Sequence, residues 1–169
     1  MWNFVGKGRP DFAIEPGPDQ ESVWDYPRPP VTEPSSREVR VIADGTLIAE
    51  TTKSVRLMET ASPPTFYLPP DALADDVLVP APGQSFCEWK GAAAYFALES
   101  DPSQTVAWSY PEPSKAFAAL RDYVSFYPGR VECYVDGERV RPQAGGFYGG
   151  WITDEVVGPF KGDPGTGHW

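Results

Sequence analysis

The pattern Trp-x-Tyr-Pro-x-Pro occurs twice, and each copy runs on to a Val-rich segment that ends in Asp-Gly. The first is Trp24-Asp25-Tyr26-Pro27-Arg28-Pro29, followed by Val39-Arg40-Val41-Ile42-Ala43-Asp44-Gly45. The second is Trp108-Ser109-Tyr110-Pro111-Glu112-Pro113, followed by Val131-Glu132-Cys133-Tyr134-Val135-Asp136-Gly137. Two separate motifs recurring in the same order predict a fold built from two related β units. Asp-Gly between apolar, β-branched runs suits a two-residue type I′ turn, whose central positions both need positive φ. That turn pairs Ala43 with Thr46, Ile42 with Leu47 and Val41 with Ile48. Its second copy pairs Cys133 with Val140 and Glu132 with Arg141. Superposing the turns puts Cys133 opposite Val41 and Val131 opposite Val39. Side chains alternate along a strand, so Val131, Cys133 and Val135 share an apolar face and Cys133 reads as a core residue.

Composition agrees with a mainly β chain. Aromatics make up 14% of the residues and there are 20 prolines, which favours short strands joined by stiff turns. A length of 169 residues supports one sizeable core rather than two domains. The net charge of -10 opposes binding to nucleic acid or to an anionic membrane. No apolar run approaches the roughly 18 residues of a membrane span, and the first residues lack the features of a signal peptide. A cytoplasmic setting follows, with Cys87 and Cys133 as reduced thiols rather than a disulfide scaffold. The one histidine, His168, and the lack of Cys-x-x-Cys leave no protein-built zinc site, and no metal or cofactor is expected.

Three segments are expected. Residues 1–36, rich in Pro, Gly and charge, form an extended arm whose Trp24 and Tyr26 dock on the core. Residues 37–141 form the β core. Residues 142–169, rich in Gly and aromatics, form a second, irregular arm over it. Within the core, Thr65–Leu68, Ser85–Lys90, Ala92–Leu98 and Thr105–Tyr110 read as strands, although the alanines of the third also admit a helix. Asp71–Leu78 reads as a short helix. Ser114–Asp122 is the best helix, with Ser114 as its cap and Phe117, Leu120 and Arg121 at helical spacing.

Several residues could carry chemistry. Cys87, in Cys87-Glu88-Trp89-Lys90, becomes a nucleophile only if its thiolate is favoured, and Lys90 could favour it. In a strand these two side chains face opposite ways, so that role requires a bend. With no histidine near it, a Cys-His hydrolase is not supported. Arg56 and Glu59 are three apart. On a helical turn they make a surface ion pair. Facing a cavity instead, Arg56 would hold an anionic group and Glu59 would exchange a proton. Tyr67, Trp108, Tyr110 and Tyr127 either line a ligand pocket or fill a β core. Asp75-Asp76 reads as a solvated face. The glycines of Gly145-Gly146-Phe147-Tyr148-Gly149-Gly150 let a loop turn tightly between aromatic anchors.

The ordered runs Arg56-Leu57-Met58-Glu59-Thr60, Pro64-Thr65-Phe66-Tyr67-Leu68-Pro69, Cys87-Glu88-Trp89-Lys90-Gly91, Ala107-Trp108-Ser109-Tyr110 and Val124-Ser125-Phe126-Tyr127 resemble the domain-of-unknown-function 427 family. The resemblance covers residues 37–141. It implies a small β-tent, similar to the Mss4-like architecture of two β layers, without a required zinc site, and it brings a nucleotidyltransferase label. The arms look like the extensions of a longer subgroup. Members often carry a histidine just before the cysteine. This chain has Phe86 there, so no His-Cys pair is implied, and the acidic metal-binding pattern of nucleotidyltransferases is missing too.

The leading expectation is a small-molecule-binding domain whose cleft is lined by Arg56, Glu59, Tyr67, Cys87, Lys90, Trp108, Tyr110 and Tyr127, taking a small polar or anionic ligand. One alternative is an enzyme using Cys87 as nucleophile, or Glu59 as acid/base with Arg56 holding the substrate. Another is an interaction module whose aromatic arms dock on a partner or on a second copy as a homodimer.

Overall fold

A computed structural model describes residues 2–169, and Met1 lies outside the described residues. In chain order the strands are β1 (Glu21–Ser22), β2 (Val31–Ser35), β3 (Val39–Ala43), β4 (Thr46–Thr51), β5 (Ser54–Met58) and β6 (Thr65–Tyr67). Then come β7 (Leu78–Cys87), β8 (Gly91–Leu98), β9 (Asp101–Ser109), β10 (Val124–Phe126), β11 (Glu132–Val135) and β12 (Glu138–Arg139). The last are β13 (Arg141–Pro142), β14 (Trp151–Ile152) and β15 (Val156–Val157). Among the described residues, helical structure is confined to 3-10 segments at Val23–Asp25, Pro70–Ala72 and Lys115–Leu120. The fold is mainly β, made of several antiparallel sheets. No helix among the described residues is long and apolar enough to cross a membrane.

The two Asp-Gly hairpins lie side by side in one sheet, ordered β12-β11-β3-β4. Asp44, Gly45, Asp136 and Gly137 all have positive φ, as type I′ turns require. Ala43 pairs with Thr46 and Ile42 with Leu47, but a bulge then sets Val41 opposite Ala49 rather than Ile48. Val140 donates its amide to the Cys133 carbonyl at 2.8 Å. Arg141, however, leaves this hairpin and pairs with Ile152. β3 and β11 run antiparallel, with Cys133 opposite Val41 and Val135 opposite Val39. Val131 is therefore not opposite Val39. Strands running in opposite directions reverse the register that superposed turns suggest. Cys133 is fully buried among Val39, Val41 and Val135, and burial pushes its thiol up.

The Trp-x-Tyr-Pro-x-Pro copies part company. Trp24 sits in a 3-10 turn that Ser22 caps by accepting the Trp24 amide. Trp108 sits in a strand. The pattern is thus no structural repeat, while the Asp-Gly hairpins are true neighbours.

The second sheet is ordered β10-β9-β8-β7. β7 begins at Leu78, well before the expected strand, and carries Pro80 and Pro82. It is an edge strand, where a missing amide need not break a ladder. The expected helix over Asp71–Leu78 shrinks to Pro70–Ala72, because the chain enters β7 at Leu78. The expected helix over Ser114–Asp122 is a 3-10 segment over Lys115–Leu120, irregular at Phe117. Ser114 does not cap it. Its hydroxyl donates to the Trp89 carbonyl at 2.6 Å instead. Both four-stranded sheets contribute to one apolar cluster, with Val39, Val41 and Cys133 from the first and Val106, Ala107 and Phe126 from the second.

β5 is buried along its whole length and pairs with β2 on one side and β6 on the other. Arg56, in its middle, directs its guanidinium at Glu33 of β2 (2.8 Å) and at Glu21 of β1 (2.7 Å). Burial works against that charge, and the two carboxylates outweigh burial, so Arg56 stays ionised. β1 in turn pairs in parallel with β15, so the first arm is clasped by β5 and by the second arm together. Trp24, fully buried, packs edge-on against Phe4, Phe12 and Trp169.

The Arg56 hydrogen bond holds the Glu21 carboxyl below its ordinary value of about 4.5. A depressed carboxyl stabilises the fold above its unfolded value and loses that contribution as pH falls through the folded value. Glu21→Gln is therefore expected to lower the thermal midpoint at neutral pH and to converge on the wild type in acid. A constant gap between the two across the acid limb, measured by differential scanning fluorimetry, would count against the clasp.

Candidate functional site

A cavity of about 270 Å³ opens between β5–β6, the β7–β9 wall and the second arm. Strand alternation decides what reaches it. On β5, Leu57 faces the cavity and Arg56 faces the arm, while Glu59, two residues past Leu57, also lines the cavity. Arg56 therefore does not belong to the cleft. Extended spacing rather than helical spacing governs this segment, and it separates Arg56 from Glu59. The cation on Glu59 is Arg28 of the first arm, donating at 3.2 Å. Arg28 also donates to the main-chain oxygens of Phe4, Thr60 and Trp169, and its plane stacks on the Trp2 ring at 4.1 Å.

The floor is aromatic. Trp108 on β9 donates its indole N–H to the Tyr67 hydroxyl at 3.2 Å, and its ring meets Tyr127 at 4.5 Å. Tyr110 follows β9 and lies 6.3 Å from Tyr67. Burial pushes the Tyr67, Tyr110 and Tyr127 phenols up, so at neutral pH they stay protonated. On β8, Tyr95 shares a 2.6 Å hydrogen bond with Ser85 of β7.

Cys87 ends β7, and Glu88-Trp89-Lys90 form the turn into β8. The bend that a Cys87–Lys90 partnership requires is this turn, and it brings both residues to the cavity. Ser114 grips the turn twice, its amide donating to the Lys90 carbonyl at 3.1 Å and its hydroxyl to Trp89. Gly91 has a φ of 109°, and a Cβ there would lie only 3.1 Å from the Glu112 carbonyl oxygen, so a side chain would crowd the backbone. The Lys90 ammonium lies 5.5 Å over the Tyr110 ring. His168 is not among the lining residues, and no cluster of three or more metal-ligating side chains forms among the described residues.

The second arm closes the remaining side. Gln143 staples it: its side-chain oxygen accepts the Gly150 amide at 3.1 Å and its side-chain nitrogen donates to the Lys161 carbonyl at 2.5 Å. Between these anchors run Phe147, Tyr148 and Gly149. Gly149 lies flat on Trp108, where a Cβ would collide with the indole ring. The Lys161 side chain lines the cavity beside Tyr148, with its ammonium 5.9 Å over that ring. Burial pulls Lys161 down from its ordinary value, and Arg28 pulls it further.

Of the eight residues expected in the cleft, Glu59, Tyr67, Cys87, Lys90, Trp108, Tyr110 and Tyr127 line this cavity and Arg56 does not. Lys161, Tyr148, Gln143 and Tyr95 also line it, and the sequence does not single them out. Tyr95 has a usable signal, since it shares a face with Ala93 on a strand that the sequence does mark. Lys161 has none, because only the path of the second arm brings it in.

Gly149→Ala is expected to lift the arm from Trp108 and cost about 1–3 kcal/mol, the usual range for overpacking. Gly146→Ala, with open space around it and no positive φ, is the control and should be neutral. Urea unfolding of both variants, with hydrogen exchange over residues 143–161, checks this. Equal stabilities would refute the contact.

The family model described as a domain of unknown function (DUF427), labelled NTP_transf_9, matches residues 31–137. The match begins at β2, inside the segment read as the first arm, and it ends before the Gln143 staple. No curated protein matches the chain. The matched region covers well over half of the sequence and contains Glu59, Tyr67, Cys87, Lys90, Trp108, Tyr110 and Tyr127, and the chain therefore belongs to the DUF427 family.

Proposed function

We propose that the chain is a small-molecule-binding domain that takes a small anionic ligand in the cavity beneath the second arm. The observation that carries this reading is a charge imbalance in the cavity walls. Lys90 and Lys161 both line the cavity, and neither forms an ion pair with an Asp or Glu side chain among the described residues. The lining carboxylate, Glu59, is engaged by Arg28. The Gln143 amide is spent on the backbone. What the walls still offer is ammonium groups, protonated phenols and hydroxyls, which are donors to an acceptor-rich ligand. The chain as a whole is strongly acidic, so two lysines in one cavity wall without an Asp or Glu ion-pair partner stand out against their surroundings. The two free cysteines are in keeping with a cytoplasmic setting, and the β-tent, Mss4-like architecture remains our reading of how the sheets are arranged.

Isothermal calorimetry with inorganic phosphate and with benzoate tests the proposal. Lys90→Met and Lys161→Met should each weaken binding by roughly tenfold or more, the usual scale for losing a charged hydrogen-bond partner. The charged lysine is the form that binds. Affinity should therefore fall as pH rises through the lowered Lys161 value, and Lys161→Arg should move that loss to higher pH. Failure of both anions to bind would remove the reading.

A thiol enzyme is the second reading, and it rests on Cys87, a half-buried free thiol in the same wall. Cys87→Ser discriminates the two. Anion affinity unchanged by the substitution fits a binding site. Acylation or alkylation of wild-type Cys87 by an electrophilic probe that phosphate protects against favours the enzyme.

A further inference from the structure

The two cavity lysines belong to different parts of the chain and keep different company. Lys90 stands on the β7–β8 turn, inside the family-matched region, over Tyr110 and in the same cavity wall as Cys87. Lys161 stands on the second arm, outside that region, over Tyr148 and against the Trp2 ring at 5.0 Å. The charged groups felt by Lys161 are Arg28 and Glu59. The group that feels Lys90 is Tyr110. These are two cationic stations.

Neither station forms an ion pair with an Asp or Glu side chain among the described residues. Lys161 is 9% exposed, and its ammonium donates to the main-chain oxygen of Trp169 at 3.3 Å. That contact uses one of its three donors, and Arg28 shares the same oxygen at 2.9 Å. Glu59 cannot serve it fully, because Arg28 holds that carboxylate. A buried cation whose nearby guanidinium opposes it is stabilised by an anion brought from outside. The surfaces that both stations share are the aromatic ones of Tyr67, Trp108, Tyr110, Tyr127 and Tyr148. Rings present faces and edges to a planar guest at little entropic cost.

From this arrangement we infer that the ligand is a ring-bearing molecule with two anionic groups set apart, one held at Lys90 and the other at Lys161. This rests on the anion-binding reading of the same cavity and narrows it to a class. It also gives the second arm a role in specificity, since the family-matched region supplies one station and the arm supplies the other.

The test uses the full chain and calorimetric titration with four probes: benzoate, terephthalate, adipate and inorganic phosphate. Terephthalate should bind about tenfold or more tightly than benzoate, because its second carboxylate binds at high effective concentration. Terephthalate should also outbind adipate, which has the two charges without the ring. Lys161→Met and Lys90→Met should each bring terephthalate down to the level of benzoate, and Lys161→Arg should restore the difference. If Lys161→Met fails to fold, Lys90→Met, at a half-buried turn, carries the comparison. Equal affinities for benzoate and terephthalate in the wild type overturn the two-station inference and leave the anion site standing. Adipate binding as tightly as terephthalate overturns the ring. If no probe binds, the anion-binding reading itself fails and takes this inference with it.

Discussion

Arg56 is a guanidinium in the middle of a strand that is buried from end to end. A buried charge left unpaired costs on the order of 3–5 kcal/mol, so its carboxylates are obligatory partners. Both come from the first arm, Glu33 from β2 and Glu21 from β1. Once β1 is fixed, it offers its edge to β15 and so places the second arm. The second arm then carries Lys161, Tyr148 and Gly149 to the cavity. The site is thus assembled by a relay that begins at a residue with no place in it.

The sheets were legible where local chemistry decides. Asp-Gly between Val-rich runs named both hairpins, because only a few residue types accept positive φ at two consecutive positions. Strand alternation around Cys133 gave its burial. The failures were places where neighbours overrule local preference. Ser114 has the form of a helix cap, but the β7–β8 turn needed its hydroxyl. The strand expected from Ser85 begins at Leu78, because an edge strand tolerates Pro80 and Pro82. Arg56 and Glu59 were open to two readings, an ion pair on a helical turn or a joint place in a cavity, and extended backbone sends them to opposite faces.

The candidate site divides in the same way. Tyr67, Cys87, Lys90, Trp108, Tyr110 and Tyr127 could be named because each lies in a run that resembles the family. Their meeting around one cavity follows from the pairing of β8 with β9 and of β9 with β10. The contribution of the second arm was hidden, since residues 142–169 have no strand periodicity to propagate a register. Hydrogen bonds of single side chains, above all those of Gln143, set that path, and such bonds leave no pattern along a sequence.

The parallel pairing of Glu21–Ser22 with Val156–Val157 joins segments separated by most of the chain. Contacts of such long sequence separation form late, because the loop they close is entropically costly until the intervening sheets exist. During synthesis, β1 emerges long before β15 does. Until β15 arrives, Trp24 and its aromatic neighbours have only part of their final cover, exposed in a chain whose acidic surface helps keep it apart from its copies. The clasp is therefore also a timing device: the cavity acquires its outer wall in the same closing step that hides the first arm.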